Sequence, residues 1–133
     1  MRKITIRELR SLRGREGLIL AGCDGNLGEW ADGVNEWLTE DGILKNGTKF
    51  EDISAFFFGN TVCVLFMLTD NVELDIGKLT DWRMRNQTCF GSTWLSDFQN
   101  NQLRMEDRFA EDFAELQTGT AKERDMKEGS EPC

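Results

Sequence analysis

Two apolar runs on either side of a Gly59-Asn60 pair constrain the fold of this chain more than any other feature. Residues 53–58 and 61–68 are rich in Phe, Val and Ile, as β-strands are. Because a two-residue Gly-Asn linker suits a primed hairpin turn, we expect the two runs to pair antiparallel. Residues 72–74 alternate between apolar and polar side chains, which predicts an edge strand that extends the hairpin into a meander.

Other segments have the spacing of helices or of a buried strand. The glycine-bounded run at residues 18–23 predicts a central strand, and Asn26 then opens a helix, with Glu29 completing a capping box. Gly42 ends that helix. The apolar face of the helix recurs every three or four residues and consists of Leu27, Trp30, Ala31, Val34 and Leu38.

Three further segments complete the chain. Asp75 is placed to cap a helix over residues 76–86, and residues 102–117 predict a last amphipathic helix. Residues 3–12 combine the start of a strand with a helical turn. Residues 90–98 are aromatic without a clear period and are expected to form an ordered loop.

The expected architecture is one small α+β domain. A chain of 133 residues with a hydrophobic fraction of 39% supplies one core and not two. We predict an antiparallel sheet of about four strands with two to four helices over residues 1–117. Residues 118–133 contain no aromatic side chain and predict a disordered, charged tail.

The residue types argue against most catalytic chemistry. The chain has no histidine, which is the commonest general base and transition-metal ligand. Its cysteines are widely separated and form no Cys-x-x-Cys pair: Cys23, Cys63, Cys89 and Cys133. We therefore predict no catalytic residues, no metal site and no cofactor, and a metal-dependent enzyme built on carboxylates is the alternative.

Hydropathy and charge indicate the compartment and the class of partner. No apolar run approaches the roughly 20 residues that span a bilayer, so we expect a cytoplasmic protein without a membrane partner. The net charge is −8, and residues 17–75 hold eleven acidic but two basic side chains. This excess of negative charge repels the phosphate backbones of nucleic acids. It therefore argues against direct nucleic-acid binding and favours positively charged partners.

One face of the helix that Asn26 opens is acidic. Its four carboxylates are spaced three, four and four residues apart and define what we call the acidic stripe: Glu29, Asp32, Glu36 and Glu40. At about 1.5 Å per residue the stripe is roughly 16 Å long, which suits a surface that imitates DNA. An ordinary solvated helix face is the alternative, and for this helix taken alone it is the commoner case.

Other candidate contact residues lie elsewhere in the chain. The predicted last helix adds a second acidic face, which consists of Asp107, Glu111, Asp112 and Glu115. Arg104 and Arg108 lie within a turn of these acids and would neutralise part of the face. Trp37 lies at the margin of the apolar face of its helix, so we nominate it as a partner contact.

Three segments together resemble a known family. They are residues 18–27, the helix from Glu29-Trp30 to Gly42-Ile43-Leu44, and residues 91–98. The chain resembles the small domains associated with large polyvalent proteins of conjugative plasmids and phages of Gram-positive bacteria, over about residues 17–103. The resemblance implies no catalytic residues.

In setting and charge pattern the chain is also similar to anti-CRISPR proteins, and no site residues follow from that similarity. We expect an inhibitor that binds a type II CRISPR effector nuclease through an acidic, DNA-mimicking surface and blocks DNA binding or cleavage. The alternative is an accessory or scaffold module for conjugation or plasmid maintenance, acting through Phe109 and Phe113 or through the basic N-terminal segment. Whether two copies pair through the last helix is left open.

Overall fold

The computed structural model of the chain describes residues 1–12, 14–22 and 26–103. The predicted last helix, apart from Gln102 and Leu103, and the predicted tail lie outside the described residues. The elements are β1 (Arg2–Lys3), α1 (Ile6–Ser11), β2 (Gly17–Ala21), α2 (Leu27–Glu40), β3 (Ile53–Phe58), β4 (Thr61–Met67), α3 (Ile76–Arg85), β5 (Gly91–Trp94), α4 (Leu95–Asp97) and a π-helix (Phe98–Gln102).

The strands form one five-stranded sheet in the order β1-β3-β4-β2-β5. Every neighbouring pair is antiparallel except β1 and β3, so the predicted α+β class is confirmed. The predicted hairpin is present, with Phe58 paired to Thr61 across the turn. Gly59 has a φ of 62° and Asn60 has a negative φ, which is the pattern of a type II′ turn.

The prediction of an edge strand at residues 72–74 is wrong. Leu74 forms an isolated antiparallel bridge with Leu44 and does not join the sheet. The Lys45 amide donates to the Glu73 carbonyl at 2.9 Å, so this segment pairs with the connection that follows α2. The pairing is possible because Asn46 and Gly47, with φ values of 56° and 70°, turn the chain back on itself.

The prediction of a loop over residues 90–98 is also wrong. Its first half is β5, an edge strand antiparallel to β2, and its second half contains α4. Four residues are too few for a clear two-residue period, particularly among aromatic side chains that suit a core of any type. With β5 in place, β2 is interior as predicted, but β4 holds the central position.

Alternate residues of the sheet enter two separate cores. Leu18, Leu20 and Phe66 face α2 and α3 on one side, whereas Ile19 and Leu65 face α1 and α4 on the other. The side of a residue therefore follows from its place in the strand pleat. In the described part of the chain, no helix is both long enough and apolar enough to cross a membrane.

Candidate binding surface

Helix α2 forms and docks as its sequence predicts, except that the Glu29 side chain does not complete the predicted capping box. The Asn26 side chain caps the helix by accepting a hydrogen bond from the Glu29 amide at 3.1 Å. The helix ends at Glu40, and Gly42 follows with a φ of 72° that favours glycine. Ala31, Val34 and Leu38 are buried against the sheet. The opposite side of the helix is therefore turned toward solvent.

The acidic stripe occupies that solvent side. All four of its residues are exposed. Among the described residues, none of these carboxylates takes part in an ion pair or a side-chain hydrogen bond. The charges are thus held in one row by a buried helix face, and no described cation neutralises them.

A polar depression borders the stripe on the side of β3. Its volume is about 560 Å³, and Asp32, Glu36 and Glu51 lie at its rim. Lys49 lies at the same rim and offsets part of the charge. The negative surface therefore extends from α2 onto the segment that precedes β3.

Asn35 and Phe50 both line that depression and are joined by a pair of hydrogen bonds, which we call the Asn35 clamp. The Asn35 amide nitrogen donates to the Phe50 carbonyl at 3.0 Å, and the Phe50 amide donates to Asn35 Oδ1 at 2.9 Å. Asn35 is 8% exposed and Phe50 is 2% exposed, so both bonds are shielded from water. Sequence reasoning missed this contact because a lone Asn in a helix gives no sign of a partner fifteen residues away.

Trp37 borders the stripe on the side of α3. Its side chain is 39% exposed, and its ring contacts the ring of Trp82 edge to face at 5.1 Å. Trp82 is fully buried, so Trp37 both covers the core and leaves part of its aromatic side chain exposed to solvent. Gly33 precedes it by one turn, and a Cβ built on Gly33 meets no atom within 4 Å. The surface beside Trp37 is therefore open.

Other acids near the stripe are partly neutralised. Arg85 lies 4.0 Å from Asp41, and Arg15 lies 3.0 Å from Asp52. Both pairs are substantially exposed, so their contribution to stability is small. Asp41 and Asp52 thus differ from the carboxylates of the stripe, which have no described cationic partner.

Glu16 is an acidic residue with a structural role that the sequence did not reveal. One of its carboxylate oxygens accepts from the amides of Gly17 and Ser96, both at 3.0 Å, and the other accepts from Ser96 Oγ at 2.6 Å. Burial acts to raise the pKa of Glu16, but hydrogen bonds from Ser96, Gly17 and Leu95 outweigh burial and lower it. The carboxylate thereby caps α4 from a position eighty residues earlier.

The remaining sequence-predicted sites are separate from the stripe or outside the described residues. Asp107, Glu111, Asp112 and Glu115 lie outside the described residues. Of the basic N-terminal segment, Arg2, Lys3 and Arg7 are exposed on β1 and α1. The described ranges bring no three His, Cys, Asp or Glu side chains close enough together to hold a metal ion.

Comparison with known proteins finds no matching family model, no matching curated protein and no matching solved structure.

Proposed function

We propose that this protein is a non-enzymatic inhibitor that offers the acidic stripe to a basic, nucleic-acid-binding groove of another protein. The observation that carries the proposal is the row of four exposed carboxylates without described cationic partners. Lys and Arg side chains in such a groove normally contact phosphates. A row of carboxylates competes for the same cations.

The dimensions of the stripe support this competition. Glu40 lies eleven positions after Glu29, which at about 1.5 Å per residue gives roughly 16 Å and one charge per about 5 Å. One strand of B-DNA carries a charge every 3.4 Å or so. The stripe is therefore somewhat less dense than one strand, and Glu51 at the neighbouring rim adds charge beside it.

Trp37 supplies a second kind of contact at the same surface. Interfaces are held mainly by a few aromatic and Arg anchors, with polar contacts around them. An Arg of the partner can stack on the Trp37 ring, whose side chain is partly exposed, while it pairs with a neighbouring carboxylate. The proposed site thus combines charge complementarity with one aromatic anchor.

The proposed target is a type II CRISPR effector nuclease in the cytoplasm of a bacterial host. This choice follows the resemblance to proteins of mobile elements and the charge pattern of anti-CRISPR proteins. The first experiment measures cleavage of target DNA by a guide-loaded effector, together with a gel shift of the same complex. Loss of both cleavage and DNA binding supports competition for the DNA groove, whereas unimpaired cleavage by several diverse effectors refutes this target.

A pair of charge-reversal variants locates the site. Asp32→Lys, Glu36→Lys and Glu40→Lys together should abolish inhibition, because the stripe then repels the groove. The control reverses three exposed acids elsewhere, Asp70, Asp81 and Asp97, and should retain inhibition. Both triple variants have the same net charge, so only the position of the charge differs. Equal loss in both variants would attribute inhibition to net charge instead of to the stripe.

Ionic strength gives an independent check on the mechanism. The Debye length falls from about 10 Å at 0.1 M salt to about 3 Å at 1 M. Inhibition through exposed carboxylates should therefore weaken steadily as salt is added, when affinity is measured by titration calorimetry. An affinity that is independent of salt would indicate an apolar contact in place of the acidic stripe.

A further inference from the structure

The two edge strands of the sheet, β1 and β5, differ in length and in charge. β1 has two residues, Arg2 and Lys3, and both are exposed and basic. A short, charged edge strand resists pairing with a strand of another molecule. β5 has four residues, Gly91–Trp94, and none of its own side chains is charged. Its outer edge therefore lacks both of the features that protect β1.

The hydrogen-bond pattern of the sheet directs the backbone of Ser92 toward that outer edge. The Gly22 amide donates to the Val62 carbonyl at 3.1 Å, so Gly22 and every second residue before it bond to β4. The residues of β2 that lie between them bond to β5. Ser92 is paired with Leu20, which belongs to the first set, so the amide and carbonyl of Ser92 point away from β2.

The Arg83 side chain of α3 binds to this outward-facing part of β5. Its Nε donates to Ser92 Oγ at 3.0 Å, and its Nη2 donates to the Ser92 carbonyl at 3.3 Å. Its guanidinium carbon also lies 5.2 Å from the centre of the Trp94 ring, which is a cation–π distance. Arg83 thus occupies the outward carbonyl and places a positive charge on a strand that has none.

We propose that Arg83 blocks the outer edge of β5 from pairing with β5 of a second copy of this chain. Two identical antiparallel strands are related by a two-fold axis, so the Ser92 amide of each copy could donate to the Ser92 carbonyl of the other. Arg83 prevents this exchange because it already occupies the carbonyl, and because pairing would bring two guanidinium groups together. The inference does not depend on the proposed inhibitor function.

Sedimentation velocity of the full chain over a concentration series tests the proposal. Arg83→Met keeps an apolar stem beside Trp94 but removes the donors and the charge, so it should dimerise about tenfold more tightly than the wild-type protein, or tighter still. Arg85→Met is the matched control, because it removes the same charge from the same helix at an exposed position 4.0 Å from Asp41. It should associate no more tightly than the wild-type protein.

Two further variants show whether the edge of β5 is the surface that associates. Proline lacks an amide hydrogen and is tolerated where the amide faces outward from an edge strand. Adding Ser92→Pro to Arg83→Met should therefore restore the wild-type level of association. Arg83→Lys keeps the charge but not the fork that holds Ser92, so it should associate more tightly than the wild-type protein and less tightly than Arg83→Met.

Hydrogen exchange of the Ser92 amide, followed by NMR, reports on strand pairing directly. In Arg83→Met this exchange should slow as the protein concentration rises, whereas in Arg85→Met it should not change. Cooperative unfolding in urea shows that each variant is folded, and Arg83→Lys decides the question if Arg83→Met does not fold. The proposal is overturned if neither Arg83 variant associates more tightly than the wild-type protein. Association that persists after Ser92→Pro also overturns it, by placing the contact elsewhere.

Discussion

The clamp between Asn35 and Phe50 allows a sharp test of how α2 is held. Asn35→Asp preserves the shape of the side chain and the acceptor for the Phe50 amide, but it removes the donor to the Phe50 carbonyl. A buried group left without its partner costs about 1–3 kcal/mol. Burial of the new carboxylate beside a carbonyl oxygen adds to this cost. We therefore expect the variant's free energy of unfolding to be lower by about 2–4 kcal/mol at neutral pH.

The pH dependence separates this explanation from a general packing defect. Burial should raise the pKa of the introduced carboxyl above its ordinary value, because it penalises the charged form. Below about pH 3 the carboxyl is protonated in both the folded and unfolded states, and its O–H can donate to the Phe50 carbonyl. The loss of stability should therefore be small at low pH and grow as the pH rises through the raised pKa.

Urea unfolding at 25 °C, followed by tryptophan fluorescence at several pH values, measures both effects. Asp32→Asn is a matched control, since it makes the reverse exchange one turn earlier at an exposed position, and it should change stability by about 0.5 kcal/mol or less. The reasoning fails if Asn35→Asp is as stable as the wild-type protein at pH 7. It also fails if the loss is the same at every pH.

Two further perturbations test other parts of the structure. Glu16→Gln removes a carboxylate whose folded pKa lies below its ordinary value of 4.5, so the stability it contributes is present above that pH and lost as the pH falls through the folded value. The urea midpoints of Glu16→Gln and of the wild-type protein should therefore converge as the pH falls. A difference that stays constant with pH would contradict stabilisation of the Glu16 carboxylate by hydrogen bonds from Ser96. Gly33→Ala should raise the free energy of unfolding by about 0.5–1 kcal/mol, because Ala is the better helix former and the added methyl group meets no atom within 4 Å. A lower urea midpoint for this variant would contradict an open surface beside Trp37.

The sequence predicted the elements whose signals are local. Helices α2 and α3 begin at Asn26 and Asp75 as predicted, because a cap and a 3.6-residue apolar period lie within one short window. The β3–β4 hairpin was predictable for the same reason, since a two-residue turn fixes both the pairing and the register. The acidic stripe follows directly from α2, so its position was predictable as well.

The errors arose where pairing depends on distant residues. Residues 72–74 have the alternation of a strand, yet their partner is the short connection at Leu44 and not the sheet. β5 pairs with β2 across about seventy intervening residues, and no local pattern encodes that choice. The Asn35 clamp and the Glu16 cap are also long-range, which explains why both side chains looked unremarkable in the sequence.

Repulsion between the carboxylates of the acidic stripe lowers the stability of α2. Asp32 and Glu36, and likewise Glu36 and Glu40, are like charges four residues apart, and each such pair disfavours the helix by about 0.2–0.5 kcal/mol. Since no described cation pairs with them, the stripe opposes folding while the buried face supports it. Replacing Glu36 with Gln should therefore slightly stabilise the domain. Groups that cost stability at an exposed surface are those expected where a surface binds a partner, and this trade-off is the strongest physical argument against an ordinary solvated face.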